Sequence, residues 1–138
     1  MGLDNSIVLR VNIFNKNIKI PKCFVHEVWY EQGDYMVCYW RKCWGIRNKI
    51  ITDVLKKEKY PDECVFILTS NDITNIIKIL KYYDNEKNWD MENSTIWWYK
   101  EDKIHKQIKQ QIKCLKKLYV FLKKQPTEDV VCYFYDSY

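Results

Sequence analysis

Apolar residues along the chain follow two different periods, which predict strands at both ends and helices between them. Residues 6–13 and 130–135 are rich in β-branched and aromatic side chains, and we predict a strand in each segment. Apolar and polar side chains alternate in residues 18–20, just before Pro21, which predicts a short second strand. For residues 24–30, a further strand and an irregular segment both stay open.

Helical spacing dominates the middle of the chain. In residues 36–57, Val37, Trp40, Trp44 and Ile51 recur near the helical period, which predicts a first helix. Thr69 precedes Asp72 by three positions, the spacing of a capping box. A second helix is therefore predicted to start there and to end near residue 83.

The longest predicted helix extends from about residue 101 to residue 124. One apolar stripe recurs along it at spacings of three and four, formed by Ile104, Ile108, Ile112, Leu115, Tyr119 and Leu122. Acidic residues at its start and lysines at its end suit the helix dipole. Between the helices, residues 64–68 and 95–99 are predicted strands, and the polar residues 84–94 are a predicted loop.

This order of elements predicts an α+β fold. Strands come first, in the middle and last, and most connections are too short for parallel crossovers unless they carry a helix. We expect a mixed or antiparallel sheet with three helices packed mainly on one face. A length of 138 residues suits one domain, residues 1–138.

The six cysteines raise the question of disulfides. No Cys-x-x-Cys pair occurs, and the first residues lack the basic and apolar regions of a signal peptide. We expect free thiols that pack as small apolar side chains in a reducing compartment such as the cytoplasm. No apolar run is long enough to span a membrane, so no membrane partner is expected.

Metal sites and catalytic motifs find little support in the sequence. Cys23, His26, Cys38 and Cys43 are candidate ligands, but their spacings are wider than structural zinc prefers, so we predict no metal. Glycine-rich phosphate loops, nucleophile elbows and metalloprotease helices are absent from the sequence. We expect a binding protein rather than an enzyme, and no cofactor, although a site of scattered carboxylates stays open.

A net charge of +5 favours anionic partners. One candidate cluster combines the phosphate-binding side chains of Arg41, Lys42 and Arg47 with the rings of Tyr39, Trp40 and Trp44. Guanidinium groups bind phosphate in a bidentate way, and aromatic rings stack on bases. The alternative is that both tryptophans belong to the core and that the cations are a solvated rim.

Two further segments are candidates for binding. Alternation in residues 97–99 sets Trp97 and Tyr99 on one sheet face and Trp98 on the other, so at least one ring is expected in a groove unless both faces are covered. The long helix carries a ridge of lysines, most of them opposite its apolar stripe, formed by Lys103, Lys106, Lys109, Lys113, Lys116, Lys117, Lys123 and Lys124. This ridge either attracts nucleic acid or an acidic surface, or only keeps the protein soluble.

Five short motifs occur in one order: Met1-Gly2-Leu3-Asp4, Tyr39-Trp40-Arg41-Lys42, residues 64–72, Trp97-Trp98-Tyr99, and the aromatic end of residues 133–138. Over nearly the whole chain, this order resembles a family of small phage and prophage proteins of Gram-positive bacteria. The resemblance implies an accessory phage protein that inhibits host immunity. Where that family carries an Asn and a His on the helix, this chain has Trp44 and Arg47. If the family binds its ligand through the Asn and the His, this protein is expected to bind a different ligand.

Charge, aromatic content and resemblance together predict a phage-derived anti-defence binding protein that sequesters an anionic nucleotide immune signal in the host cytoplasm. The expected ligand-binding residues are Arg41, Lys42, Arg47, Tyr39, Trp98 and Tyr99. Direct inhibition of a host defence protein, such as a CRISPR nuclease, is the main alternative. Plain nucleic-acid binding, a signal-degrading enzyme and a homo-oligomer also stay open.

Overall fold

The computed structural model describes residues 4–26, 33–41, 43–84 and 101–137, and these residues form an α+β fold with an open antiparallel sheet. The strands are β1 (Asp4–Val11), β2 (Val25–His26), β3 (Asp34–Arg41), β4 (Val65–Leu68) and β5 (Val130–Ser137). The helices are α1 (Trp44–Lys49), α2 (Ser70–Tyr83) and α3 (Glu101–Lys124). The predicted fold class is confirmed.

The strands pair in the order β2-β3-β1-β5-β4, and every pair is antiparallel. The first long strand, β1, lies in the centre because its middle is apolar on both faces. Ile7, Val8 and Leu9 are all fully buried. The last strand, β5, is its direct neighbour, so the two predicted terminal strands form the middle of the sheet.

The hydrophobic core lies between one sheet face and the helices. Ile7 and Leu9 of β1 point into it, together with Phe134 of β5. The apolar stripes of α2 and α3 complete it with side chains such as Ile76 and Leu115, and the two helices pack along each other. The prediction that the helices pack mainly on one face is confirmed.

The start of α2 follows the predicted capping box. The Thr69 hydroxyl accepts a hydrogen bond from the backbone N–H of Asp72 at 3.2 Å. The Asp72 carboxylate accepts one from the backbone N–H of Thr69 at 2.8 Å. These two bonds satisfy donors that a helix start otherwise leaves unpaired, so the cap fixes where β4 ends and α2 begins.

The predicted helix over residues 36–57 is wrong in its first part. Residues up to Arg41 belong to strand β3, in which Cys38 and Trp40 point into the core. Helix α1 begins only at Trp44, and a π-helical turn, Ile50–Val54, follows it. The spacing of four residues between Trp40 and Trp44 predicts a shared helix face. Because Trp40 lies in a strand and Trp44 in a helix, they do not share one.

Other segments differ from the predictions or lie outside the described residues. Residues 18–20 form no strand, although Ile18 and Ile20 do pack against the core. For residues 24–30 the sequence leaves a strand and an irregular segment as alternatives. Among the described residues of that segment, only Val25–His26 forms a strand. The predicted strand 95–99 and most of the predicted loop 84–94 fall within residues 85–100, which are not among the described ones.

All six cysteines are free thiols, as expected. Cys38, Cys43, Cys114 and Cys132 are buried, whereas Cys64 is exposed. Burial raises the pKa of the Cys43 thiol to about 12, and it also raises the pKa values of Cys38, Cys114 and Cys132. Within the described residues, no helix is both long and apolar enough to cross a membrane.

Candidate functional site

Arg47, one of the predicted phosphate-binding residues, lies in the core beside Asp136. Both side chains are 0% exposed, and the Arg47 Nη2 to Asp136 Oδ2 distance is 2.7 Å. The Arg47 Nε group also donates to Asp136 Oδ1 at 3.0 Å, so the pair is bidentate. A bidentate arginine–carboxylate pair is the strongest common form of this interaction, and it fixes both side chains.

The remaining donors of Arg47 are also used inside the protein. Its Nη1 group donates to Asn48 Oδ1 at 3.0 Å and to the backbone carbonyl of Lys59. The rings of Trp44 and Tyr60 lie 5.9 and 5.6 Å from its guanidinium carbon. This burial contradicts the predicted phosphate contact of Arg47, because no donor of that side chain faces solvent.

Tyr39 and Arg41 are the only predicted site residues that the described structure brings together. They lie two positions apart in β3, and both point to the sheet face opposite the helices. Tyr39 is 41% exposed, and its hydroxyl donates to Asp4 Oδ1 at 2.6 Å. Lys42, Trp98 and Tyr99 lie outside the described residues.

Trp40 is part of the core rather than of a ligand site. It is nearly fully buried, and its indole N–H donates to Gln111 Oε1 on α3 at 2.9 Å. The side-chain amide of Gln111 donates in turn to the backbone carbonyl of Tyr39 at 3.3 Å. These contacts tie α3 to β3 and leave the Trp40 ring no surface on which a base could stack.

Tyr39 belongs to a larger surface on the open side of the sheet, which we call the tyrosine face. It is formed by Tyr39, Tyr133, Tyr135, Met36, Val65, Ile67, Arg10 and Arg41. Tyr39 and Tyr135 flank Ser6 in one row, and Tyr133 lies two positions before Tyr135 on β5. The ring centroids of Tyr133 and Tyr135 are 6.1 Å apart.

The cations of the tyrosine face have anionic neighbours. Arg10 forms an ion pair with Asp34 at 2.8 Å, and its guanidinium carbon lies 5.3 Å from the centroid of the Tyr133 ring. Arg41 lies opposite Asp4 in the strand register, and the Asp4 carboxylate accepts a hydrogen bond from the Tyr39 hydroxyl. The tyrosine face is therefore aromatic but carries no clear excess of positive charge.

A second surface combines positive charge with an apolar floor, and we call it the basic groove. It is an open groove of about 670 Å³ lined by Asn17, Lys19, Pro21, Lys116, Lys117, Val120, Phe121, Lys124 and Gln125. Four of these nine residues are lysines and none is acidic. The groove therefore concentrates one sign of charge around apolar side chains.

One half of the basic groove comes from the last turns of α3. Residues 116, 117, 120, 121 and 124 recur at spacings of three and four, so they share one helix face. Val120 is exposed and supplies the apolar floor, and the lysines border it. The C-terminal part of the predicted lysine ridge therefore faces a groove, whereas Lys106 and Lys109 do not line it.

The other half comes from the loop after β1, which two contacts hold in place. The ring of Phe24 packs edge-on against Phe121 of α3, with centroids 6.0 Å apart. At the start of the loop, Asp129 accepts side-chain hydrogen bonds from Asn12 at 3.1 Å and from Asn15 at 2.9 Å. The loop is thus fixed at both ends before any ligand binds.

The basic groove has the dimensions and chemistry of a site for an anionic ligand with an apolar part. Ligand pockets commonly measure about 300–1,000 Å³ and combine apolar walls with a few polar groups. Each lysine offers three donors to a phosphate or carboxylate. Because these lysines come from two separate segments, they could contact one ligand from two sides.

Comparison with protein-family models, with curated proteins and with solved structures gives no match to this chain. The assignment of function therefore depends on the chemistry of the tyrosine face and the basic groove.

Proposed function

We propose that this protein binds an anionic nucleotide in the basic groove. The supporting observation is the convergence of four lysines on one groove with an apolar floor, where none of the described lining residues carries a carboxylate. Phosphate groups would accept hydrogen bonds from the lysines, and the base would lie against Val120 and Pro21. This site differs from the predicted cluster, in which the Arg47 side chain is already bound to Asp136.

In the phage setting that the sequence resemblance implies, such a protein would act in the host cytoplasm by withholding a nucleotide immune signal. Capture without turnover requires only affinity and a sufficient amount of protein. The described residues that line the groove are lysine, amide and apolar residues, and they include no carboxylate, histidine or cysteine, which commonly act as general bases or nucleophiles. We therefore propose sequestration rather than degradation of the signal.

Calorimetry against a panel of cyclic dinucleotides, cyclic trinucleotides and ADP-ribose derivatives tests this proposal. We expect one nucleotide class to bind with a micromolar or tighter dissociation constant. The double variant K116E/K117E should weaken that binding by at least about 100-fold, because two charge-assisted hydrogen bonds of about 1.5–3 kcal/mol each are lost. The affinity of the wild-type protein should also fall as salt is added.

The matched control is K106E/K109E, which makes the same change of charge on α3 outside the groove. It should keep nearly the full affinity. Equal losses in the two variants would mean that only the general charge of the helix attracts the ligand. Absence of binding across the panel at micromolar concentrations, or conversion of the nucleotide during the titration, would contradict capture.

A second candidate function, direct inhibition of a defence effector, is favoured by the tyrosine face. Tyrosine, methionine and arginine are enriched in protein interfaces, and all three occur there beside the exposed Val65 and Ile67. The hydroxyl groups and rings of tyrosine bury well against a protein partner. The tyrosine face would bind the effector directly, and the basic groove would take no part in that contact.

A nuclease-inhibition assay separates the two candidates. If the protein inhibits a CRISPR nuclease directly, Tyr133→Glu should restore cleavage, because it adds a charge in the middle of the tyrosine face. K116E/K117E should leave that inhibition unchanged. The reverse result, in which only the groove variant loses inhibition, would rule out the tyrosine face as the inhibitory surface.

A further inference from the structure

The edge strand β4 is only four residues long, but it lacks three other features that discourage pairing with another strand. Its four residues, VFIL, include no charged residue and no proline, and its register with β5 contains no bulge. Natural edge strands are commonly protected by such features. Among the residues that the structure describes, no strand pairs with the outer edge of β4.

The direction of the backbone groups of β4 follows from one hydrogen bond. The backbone N–H of Asp136 donates to the carbonyl of Cys64 at 2.8 Å, so these two residues form a hydrogen-bonded pair. Such pairs alternate along an antiparallel ladder, so Phe66 and Leu68 also bond to β5. The N–H and C=O groups of Val65 and Ile67 therefore point away from the sheet.

The same two residues carry exposed apolar side chains. Val65 is 40% exposed and Ile67 is 68% exposed, while Phe66 and Leu68 are buried on the helix side. A groove of about 470 Å³ borders this strand, and its wall includes Val54 and Leu55 as well as three charged residues. Outward hydrogen-bonding groups, exposed aliphatic side chains and open space thus coincide along one edge.

We propose that β4 pairs antiparallel with β4 of a second copy of this chain, across a two-fold axis at Phe66. In this register Val65 lies opposite Ile67 of the second copy, and each such pair exchanges two backbone hydrogen bonds. The exposed Val and Ile side chains then form cross-strand pairs on the tyrosine face. Pairing joins the two sheets into one and makes that face continuous across both copies.

The alternation of backbone groups selects this register. A shift by one residue would set Val65 against a residue whose groups bond to β5, so no ladder would form. A shift by two residues keeps the alternation but leaves part of each strand without an opposite residue. A second copy suits the edge because the strand is complementary to itself, with an aliphatic side chain at both outward positions.

Sedimentation velocity over a range of concentrations tests the proposal. A pairing of four-residue strands buries little surface, so we expect a dimer that dissociates in the micromolar range or above. Ile67→Lys should make the protein monomeric throughout, because a lysine at this position keeps the edge solvated. The matched control is Val25→Lys, which makes the same change at an exposed aliphatic residue on the opposite edge strand, β2.

A nitroxide label on Cys64, in a Cys23→Ser background, checks the register. Cys64 would lie opposite Leu68 of the second copy, so the two Cys64 Cα atoms would be about 14 Å apart. We expect dipolar broadening that disappears when unlabelled protein is added in excess. A wild-type monomer at all concentrations, a dimer that survives Ile67→Lys, or a dimer without broadening would each overturn the proposal.

Discussion

Replacement of Arg47 by methionine is expected to lower the free energy of unfolding by about 3–5 kcal/mol. The change leaves the Asp136 carboxylate buried without its cation, in a position where no water reaches either side chain of the original pair. Asn5 would still donate to Asp136 at 2.7 Å, but one neutral donor cannot replace a guanidinium group. Urea denaturation at neutral pH measures the loss.

Two further variants identify the cause of that loss. Arg41→Met makes the same chemical change at an exposed residue and should cost less than about 0.5 kcal/mol. The double variant R47M/D136L should recover part of the stability, because apolar pairs often replace buried ion pairs without penalty. If the double variant is less stable than R47M, the isolated charge of Asp136 is not the reason for the loss.

The ion pair also explains why the predicted phosphate cluster contained a wrong residue. Arg47 and Asp136 are 89 positions apart, so nothing near Arg47 in the sequence indicates its partner. In a sequence, a cationic residue two or three positions from an aromatic residue is equally consistent with a binding site and with a contact in the core. Only the docking of α1 against the end of β5 decides between the two.

The long helices were predictable because their signals are local. The capping box at Thr69 and the apolar stripe of α3 are complete within each segment, and the structure confirms both. In β3, by contrast, a bulge opposite Ile7 and Val8 puts Val37 and Cys38 side by side in the core. The bulge interrupts the alternation of the strand, and the remaining apolar spacing resembles that of a helix.

The basic groove could be predicted only in part. The lysines of α3 are visible in the sequence as a ridge, but sequence does not tell which of them border a cavity. That depends on the contact between Phe24 and Phe121, which brings Lys19 close to the last turns of the helix. The alternation in residues 18–20 predicts a strand, yet in the structure its two isoleucines pack against the core and the segment pairs with no strand among the described residues.

Alkaline pH is expected to destabilise the fold by several kcal/mol as the pH rises above the ordinary thiol pKa, through four buried cysteines. Burial raises the pKa of Cys43 from 9.0 to about 12 and raises those of Cys38, Cys114 and Cys132 as well. Above pH 9.0, the ordinary value, the unfolded chain releases these protons while the folded chain keeps them. Stability is therefore full below that value and falls as the pH rises through the interval.

Urea denaturation under reducing conditions, repeated from about pH 8 to about pH 10, gives the slope of stability against pH. Cys43→Ala should reduce this slope, by about 1 kcal/mol per pH unit once the pH exceeds 9.0, because one thiol no longer titrates only in the unfolded state. Cys64→Ala removes an exposed thiol and should leave the slope unchanged. Parallel curves for the wild type and Cys43→Ala would show that this buried thiol does not control alkaline stability.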